Sequence, residues 1–135
     1  MDKLTHERRS ENMRRIRSRD TAPEMIVRRL VFGMGYRYRL HARNLPGKPD
    51  LVFPGRKKVV DVRGCFWHQH KGCIDSHIPK SRTEYWIPKF QRNQSRDAVN
   101  LQSLKALGFR VLVIWECETR KERRLAAKLE RFLGR

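Results

Sequence analysis

The sequence predicts a single α/β domain built around a mixed β-sheet. Three observations carry that expectation. A length of 135 residues suits one domain with a real but modest core. Apolar residues make up 39% of the chain and come in short periodic segments, unlike a basic disordered tail. Those segments read α, α, β, β, β, α, β, α in order, with no repeat and no linker between them.

Residues 5–20 read as a helix rich in arginine, with Met13 and Ile16 among its few apolar positions. That stripe is too narrow for a core helix, so residues 1–20 are expected to form an arm lying against a partner and residues 21–135 the domain proper. Thr21-Ala22-Pro23-Glu24 is a helix start: Thr21 can cap, Pro23 suits the first turn, and Glu24 completes a T-x-x-E capping box. Ile26, Val27, Leu30, Val31 and Met34 then line one face, and Gly35 is the expected stop. Tyr36 to Leu40 alternates like a half-buried strand. Leu51-Val52-Phe53 and Val59-Val60-Asp61-Val62 read as strands joined by a turn at Pro54-Gly55-Arg56-Lys57.

An irregular stretch follows from Arg63 to Lys80. Ser81-x-x-Glu84 is another capping signature, and Ile87, Phe90, Leu101, Leu104 and Leu107 trace a helix ending at Gly108. Pro88 predicts a short first turn or a kink, because an interior proline costs ~3 kcal/mol. Phe109 to Trp115 is apolar on both faces, which predicts a central, buried strand with Trp115 in the core. Thr119-x-x-Glu122 is expected to cap a last helix with the stripe Leu125, Leu129, Phe132 and Leu133.

Composition narrows the functional classes. Lys and Arg number 32 against 14 Asp and Glu, a formal net charge of +18. Such a surface seeks polyanions, nucleic acid first; charge supplies affinity without sequence information. No apolar run approaches the ~20 residues that span a bilayer, and the N-terminus lacks a signal-peptide core, so a cytoplasmic protein is expected. Three cysteines, an odd number, argue against a disulfide framework and for metal ligation or free thiols.

Two constellations carry chemistry. Cys65-x4-His70-x2-Cys73, with Cys117 beyond the last strand, offers the three thiolates and one imidazole of a closed structural zinc site; on spacing alone His68 competes with His70. Pro46-Gly47-Lys48-Pro49-Asp50 sets a carboxylate at the mouth of a strand whose hairpin partner ends in Asp61-Val62-Arg63. This resembles the PD…(D/E)xK core of restriction-type nucleases, in which carboxylates at adjacent strand ends hold Mg²⁺ against a phosphate. His68 is a candidate base. Asp97 either orients a histidine or is a solvated helix carboxylate, and Glu24 either joins the site or only caps its helix. Phe66-Trp67 and Tyr85-Trp86 either stack on bases or make a small core around the metal.

Together these segments resemble the very-short-patch repair (Vsr) DNA mismatch endonucleases. The matching pieces are Arg9-Ser10-Glu11-Asn12-Met13-Arg14, Arg19-Asp20-Thr21, Leu45 to Asp50, Gly64-Cys65-Phe66-Trp67-His68, Arg82-Thr83-Glu84-Tyr85-Trp86 and Val113-Ile114-Trp115-Glu116-Cys117. The resemblance implies a restriction-endonuclease-like fold and a Mg²⁺-dependent nick in one strand, 5′ to the thymine of a T:G mismatch. Such mismatches arise by deamination of 5-methylcytosine, which implies functional association with a cytosine-5 DNA methyltransferase. It further implies that Asp50 and the main-chain carbonyl of Val62 hold Mg²⁺, that His68 is the base, and that Glu24 and Asp97 stand at the edge of the site. Cys65, His70, Cys73 and Cys117 match zinc ligands. Phe66, Trp67 and Trp86 match intercalating residues, and Met13, with Arg14 beside it, matches a contact from the minor-groove side.

The chain departs from the pattern in places. Arg63 stands where the well-known member has a second active-site histidine, and there it can neutralise phosphate charge but cannot act as a base. Asp61 occupies an apolar position; it either pairs with Arg63 or becomes a second carboxylate ligand. One extra residue, within Lys71-Gly72, precedes Cys73. A monomer associated with the nucleoid, with possible docking of repair proteins, is expected. The rival expectations are a restriction-type endonuclease cutting matched duplex through Asp50 and Asp61, and a zinc-stapled nucleic-acid binder without activity.

Overall fold

A computed structural model describes residues 20–134. The expected arm, with Met13 and Arg14, therefore lies outside the described residues apart from Asp20. The elements run α1 (Ala22–Gly33), β1 (Arg39–Leu40), β2 (Leu51–Phe53), β3 (Lys58–Arg63), α2 (Thr83–Ala106), β4 (Arg110–Trp115) and α3 (Glu122–Leu133). Short 3₁₀ turns lie at Pro54–Arg56, Ile74–Ser76 and Glu116–Arg120.

The sheet has the order β1-β2-β3-β4. The β1–β2 and β2–β3 pairs are antiparallel and β3–β4 is parallel, so the expected mixed sheet is present. Strand alternation divides its side chains between two layers. Leu51, Phe53, Val60 and Ile114 pack with Val27 and Val31 of α1 and Leu125, Leu129 and Leu133 of α3. On the other face Val52 and Val59 meet Leu104 of α2. Helices therefore cover both faces of one sheet, and β2 and β3, each paired on both edges, are its inner strands.

Several local expectations change. The strand expected over Tyr36 to Leu40 shrinks to Arg39–Leu40, because Tyr36 and Tyr38 turn into the core beneath it. β4 is the edge strand of the described sheet, and only Ile114 within it is buried. Its apolar residues face helices on both sides without needing a further strand neighbour. Neither later capping signature caps. α2 starts after Arg82, which sits at φ +58° with no side-chain cap, and the Thr119 hydroxyl donates to the Glu116 carbonyl at 2.6 Å within the preceding 3₁₀ turn. Pro88 lies inside α2, which runs unbroken from Thr83. The proline removes one bond, to the carbonyl of Glu84, near an end that is exposed to water.

The α2 stripe also shifts: Trp86, Phe90 and Leu104 are buried, whereas Ile87 and Leu107 are exposed. At its C-terminus Gly108 takes φ +90°, and the N–H groups of Gly108 and Phe109 return to Lys105 and Leu104. That is a Schellman closure, with Phe109 folding back onto Leu104.

Candidate active site and metal cluster

The register Leu51↔Val60 and Val52↔Val59 carries one step further to Asp50 opposite Asp61. By alternation both carboxylates point to the α2 face, while Val62 turns its side chain to the core on the other face. The Val62 N–H donates to Asp50 Oδ2 at 2.7 Å. In an extended strand N–H and C=O of one residue leave on the same side, so the Val62 carbonyl is directed past the start of β2 as well. Burial first, then the Asp61 charge beside it, raises the Asp50 carboxyl from 3.8 to about 9, against the pull of the Val62 N–H. Two facing carboxylates with an inward carbonyl are hard oxygen donors, a set that fits Mg²⁺.

A cleft of about 1600 Å³ opens over this pair, lined by Glu24, His41, Asp50, Asp61, His68 and Asp97 among others. Gly47 lets its loop pass close to α2: a Cβ there would meet the Asn100 side chain at 2.9 Å. On the α2 side Asp97 Oδ2 lies 2.6 Å from His68 Nδ1. Arg63 donates from Nε to Asp61 at 3.0 Å, and its Nη1 stands 3.9 Å from Asp97. Arg63 therefore bridges the carboxylate pair and the histidine pair. On the α1 side Glu24 is 2% exposed. Its amide bonds the Thr21 hydroxyl, but its carboxylate reaches Asp20 N–H, Arg28 and His41, so the residue serves the cleft as well as the helix start.

His41 belongs to no motif legible in the sequence. It reaches the site because β1 ends beside Asp50, whose carbonyl accepts the His41 N–H at 3.1 Å. No spacing or periodicity in the chain announces that contact.

Cys65, His70, Cys73 and Cys117 form a second group in which one donor atom from each lies within 4.8 Å of the others. His70 Nδ1 stands 3.7 Å from Cys65 Sγ and 3.5 Å from Cys117 Sγ. A tetrahedron with Zn–S near 2.3 Å and Zn–N near 2.0 Å has S···N edges of roughly 3.5 Å, so the donors stand at metal-binding separations. Burial raises the Cys65 thiol to about 12 and raises Cys117 as well, so a metal binding here has protons to displace. The cluster pins the irregular loop to the end of β4. Trp115 is half-buried there and not in the core: its ring lies on the His70 ring, centroids 4.2 Å apart and planes 10° apart.

The aromatic residues gather between cluster and cleft. Phe66 makes edge contacts with Trp67, Trp86 and Phe90 at 5.2, 5.4 and 5.2 Å, and the Asn93 amide donates to the Trp67 carbonyl at 3.0 Å. Phe66 and Trp67 are half-buried. Trp86 is only 9% exposed and backs the other two against Phe90.

The family described as DNA mismatch endonuclease Vsr matches residues 1–74. The type II nicking enzyme V.XorIIP of Xanthomonas oryzae pv. oryzae is 48% identical over 132 residues, covering 98% of this chain and 96% of the relative. The type II nicking enzyme V.NmeAIP of Neisseria meningitidis is 41% identical over 132 residues, 98% of this chain and 94% of its own. The DNA mismatch endonuclease Vsr of Escherichia coli is 42% identical over 124 residues, 92% of this chain and 77% of its own. A family match over residues 1–74 and relatives of more than 40% identity aligned along nearly the whole chain lead to one conclusion: the chain belongs to the Vsr family of DNA endonucleases.

Proposed function

We propose that this nuclease nicks one DNA strand 5′ to the thymine of a T:G mismatch left by deamination of 5-methylcytosine, and so starts very short patch repair. The observation that carries the reading is the Asp50–Asp61 pair at the floor of a cleft that also holds the His68–Asp97 pair. In this reading Asp50, the Val62 carbonyl and Asp61 would hold Mg²⁺, which supplies charge neutralisation at the scissile phosphate and a water of lowered pKa. Asp97 holds His68 at Nδ1 and leaves Nε2 to take the proton of the attacking water. Arg63 neutralises phosphate charge from between Asp61 and Asp97. Cys65, His70, Cys73 and Cys117 would hold a structural zinc ion, for which three thiols and one imidazole are the fitting donors.

Phe66 and Trp67, backed by Trp86, form the wedge that enters the stack, with Met13 and Arg14 of the arm on the minor-groove side. Unstacking costs a few kcal/mol and is cheapest at a mismatch, which gives selectivity before any base is read. The enzyme acts as a single domain and a monomer, in the cytoplasm at the nucleoid, in functional association with a cytosine-5 methyltransferase and with repair proteins as possible partners. Among the described residues no helix is long and apolar enough to cross a membrane.

One observation favours a second reading. Opposed Asp50 and Asp61 are also what a restriction-type nuclease cutting matched duplex would use. End-labelled duplexes with one T:G pair in several methyltransferase-type contexts, each beside T:A and C:G controls, separate the two. With Mg²⁺ the expected product is a nick in the thymine strand alone, lost in Asp50→Ala while DNA binding persists. Double-strand cleavage of the controls would move the protein to the restriction class, and full activity in Asp50→Ala would overturn both.

A further inference from the structure

The Asp50 carboxylate has a backbone donor on one oxygen and a histidine toward the other. Oδ2 takes the Val62 N–H at 2.7 Å. Toward Oδ1 stands His41, its Nε2 4.0 Å away and 2.9 Å from Glu24 Oε2. The side chain is 14% exposed within the cleft. Its backbone is unusual, at φ +46°. A non-glycine residue in the left-handed region is uncommon, and such strain persists where the surroundings over-determine it. Here they do: the His41 N–H is bound to the Asp50 carbonyl at 3.1 Å, and the ring is bound to a carboxylate that is itself buried and held by Asp20 N–H and Arg28.

The His41 main chain is thus bonded to the Asp50 carbonyl and its ring is held within ion-pair range of Oδ1 by Glu24, with Arg28 3.4 Å from Nε2 as a wall behind. We propose that His41 is a positioning residue of the nuclease centre, fixing the Asp50 carboxylate in the orientation that receives the divalent ion opposite Asp61. The inference rests on the reading of this cleft as a divalent-metal nuclease centre. It gives buried Glu24 a purpose beyond its helix: Glu24 orients His41, and His41 orients Asp50. A carboxylate free to turn about its last torsion loses preorganisation, and affinity for the ion falls with it.

Two substitutions separate ring from backbone. His41→Gly accepts the positive φ without strain and removes the ring; His41→Gln puts an amide N–H donor at the reach of Nε2 toward Glu24 on the same backbone as the parent. Full-length zinc-loaded protein is titrated with Mn²⁺ and the free ion is followed by electron paramagnetic resonance. Nicking is then measured against Mg²⁺ concentration, with duplex binding without added divalent ion and melting temperature as controls.

The expected result is about tenfold weaker Mn²⁺ binding in His41→Gly and a matching rise in the Mg²⁺ needed for half-maximal nicking. Duplex affinity and melting temperature should stay as in the parent, and His41→Gln should recover most of the loss. Parent-like Mn²⁺ binding in His41→Gly overturns the proposal. So do equal losses in both variants accompanied by a lower melting temperature, which would mark a purely structural role. A parent protein that neither binds Mn²⁺ in the cleft nor nicks would instead bring down the nuclease reading beneath it.

Discussion

At the scale of single residues, Asp50 shows what the site costs the fold. Burial, the facing Asp61 and the nearby Glu24 raise its carboxyl from 3.8 to about 9, and the Val62 N–H recovers only part of that. Without a divalent ion the folded chain therefore binds the Asp50 proton more tightly than the unfolded chain does. The stability linked to that proton is whole below about pH 4 and is lost as the pH rises toward about 9. Asp50→Asn keeps the shape and cannot ionise. It should abolish nicking yet melt higher than the parent in magnesium-free buffer, by several degrees, each ~1 kcal/mol being worth about 4 °C at this size. The gain should be larger near about pH 8.5 than near about pH 6, as thermal melts at both would reveal; a gain independent of pH would refute the linkage. Asp50 was legible because prolines flank it just ahead of an apolar strand. Glu24 was half legible, since its capping position is local but its contact with His41 is not. His41 was silent: it acts through a left-handed backbone and a contact made only when β1 lies beside β2.

Among the elements, the loop from Gly64 to Lys80 depends most on something outside itself. It has one 3₁₀ turn, its isoleucines 74 and 78 are 88% and 50% exposed, and it is tied to the end of β4 by the cysteine cluster, the His70–Trp115 stack and the Asp75–Arg120 pair, and to α2 by the Phe66 contacts. A loop with so little buried surface cannot offset its own ordering entropy. Removing the metal with a strong chelator, or replacing a ligand with Cys117→Ser, should lower the melting temperature by about 10 °C, on the order of 2–3 kcal/mol. Amide exchange should accelerate in this loop before it does in β3. A chelated protein that melts as the untreated one does would show the cluster to be three reduced thiols beside a histidine. The metal-type spacing was readable because ligand chemistry is carried by residue type. Helix starts and strand order were less so. The Ser81 and Thr119 signatures lie near helix starts but cap neither: Thr119 is taken by the Glu116 carbonyl, and α2 begins after Arg82. β4 reads as central because both its faces are apolar, yet helices supply the cover and leave it at the edge.

For the molecule as a whole, charge is distributed by position. Asp20, Glu24, Asp50, Asp61, Asp97 and Glu116 all line the cleft, so six of the chain's 14 acidic side chains gather at one site. Against a net charge of +18, that leaves the remaining surface still more positive, while Arg43, Lys48 and Arg96 stand exposed at the rim of the cleft. A polyanion is drawn to the rim and meets an acidic floor that a divalent ion can neutralise. Capture and chemistry should accordingly separate. Duplex affinity should fall steeply with salt, by a factor of about 10³ or more between roughly 50 and 200 mM if six or more phosphates are contacted. The nicking rate at saturating DNA should change little over that range, since the cleft interactions are short and partly buried. Arg96→Ala tests one rim cation. Fluorescence anisotropy on matched and T:G duplexes should show weaker binding to both, with the log–log salt slope reduced by about one and the T:G preference intact. A slope left unchanged, or a preference lost along with affinity, would place Arg96 at the bases and not at the phosphates, and the rim would then be part of recognition.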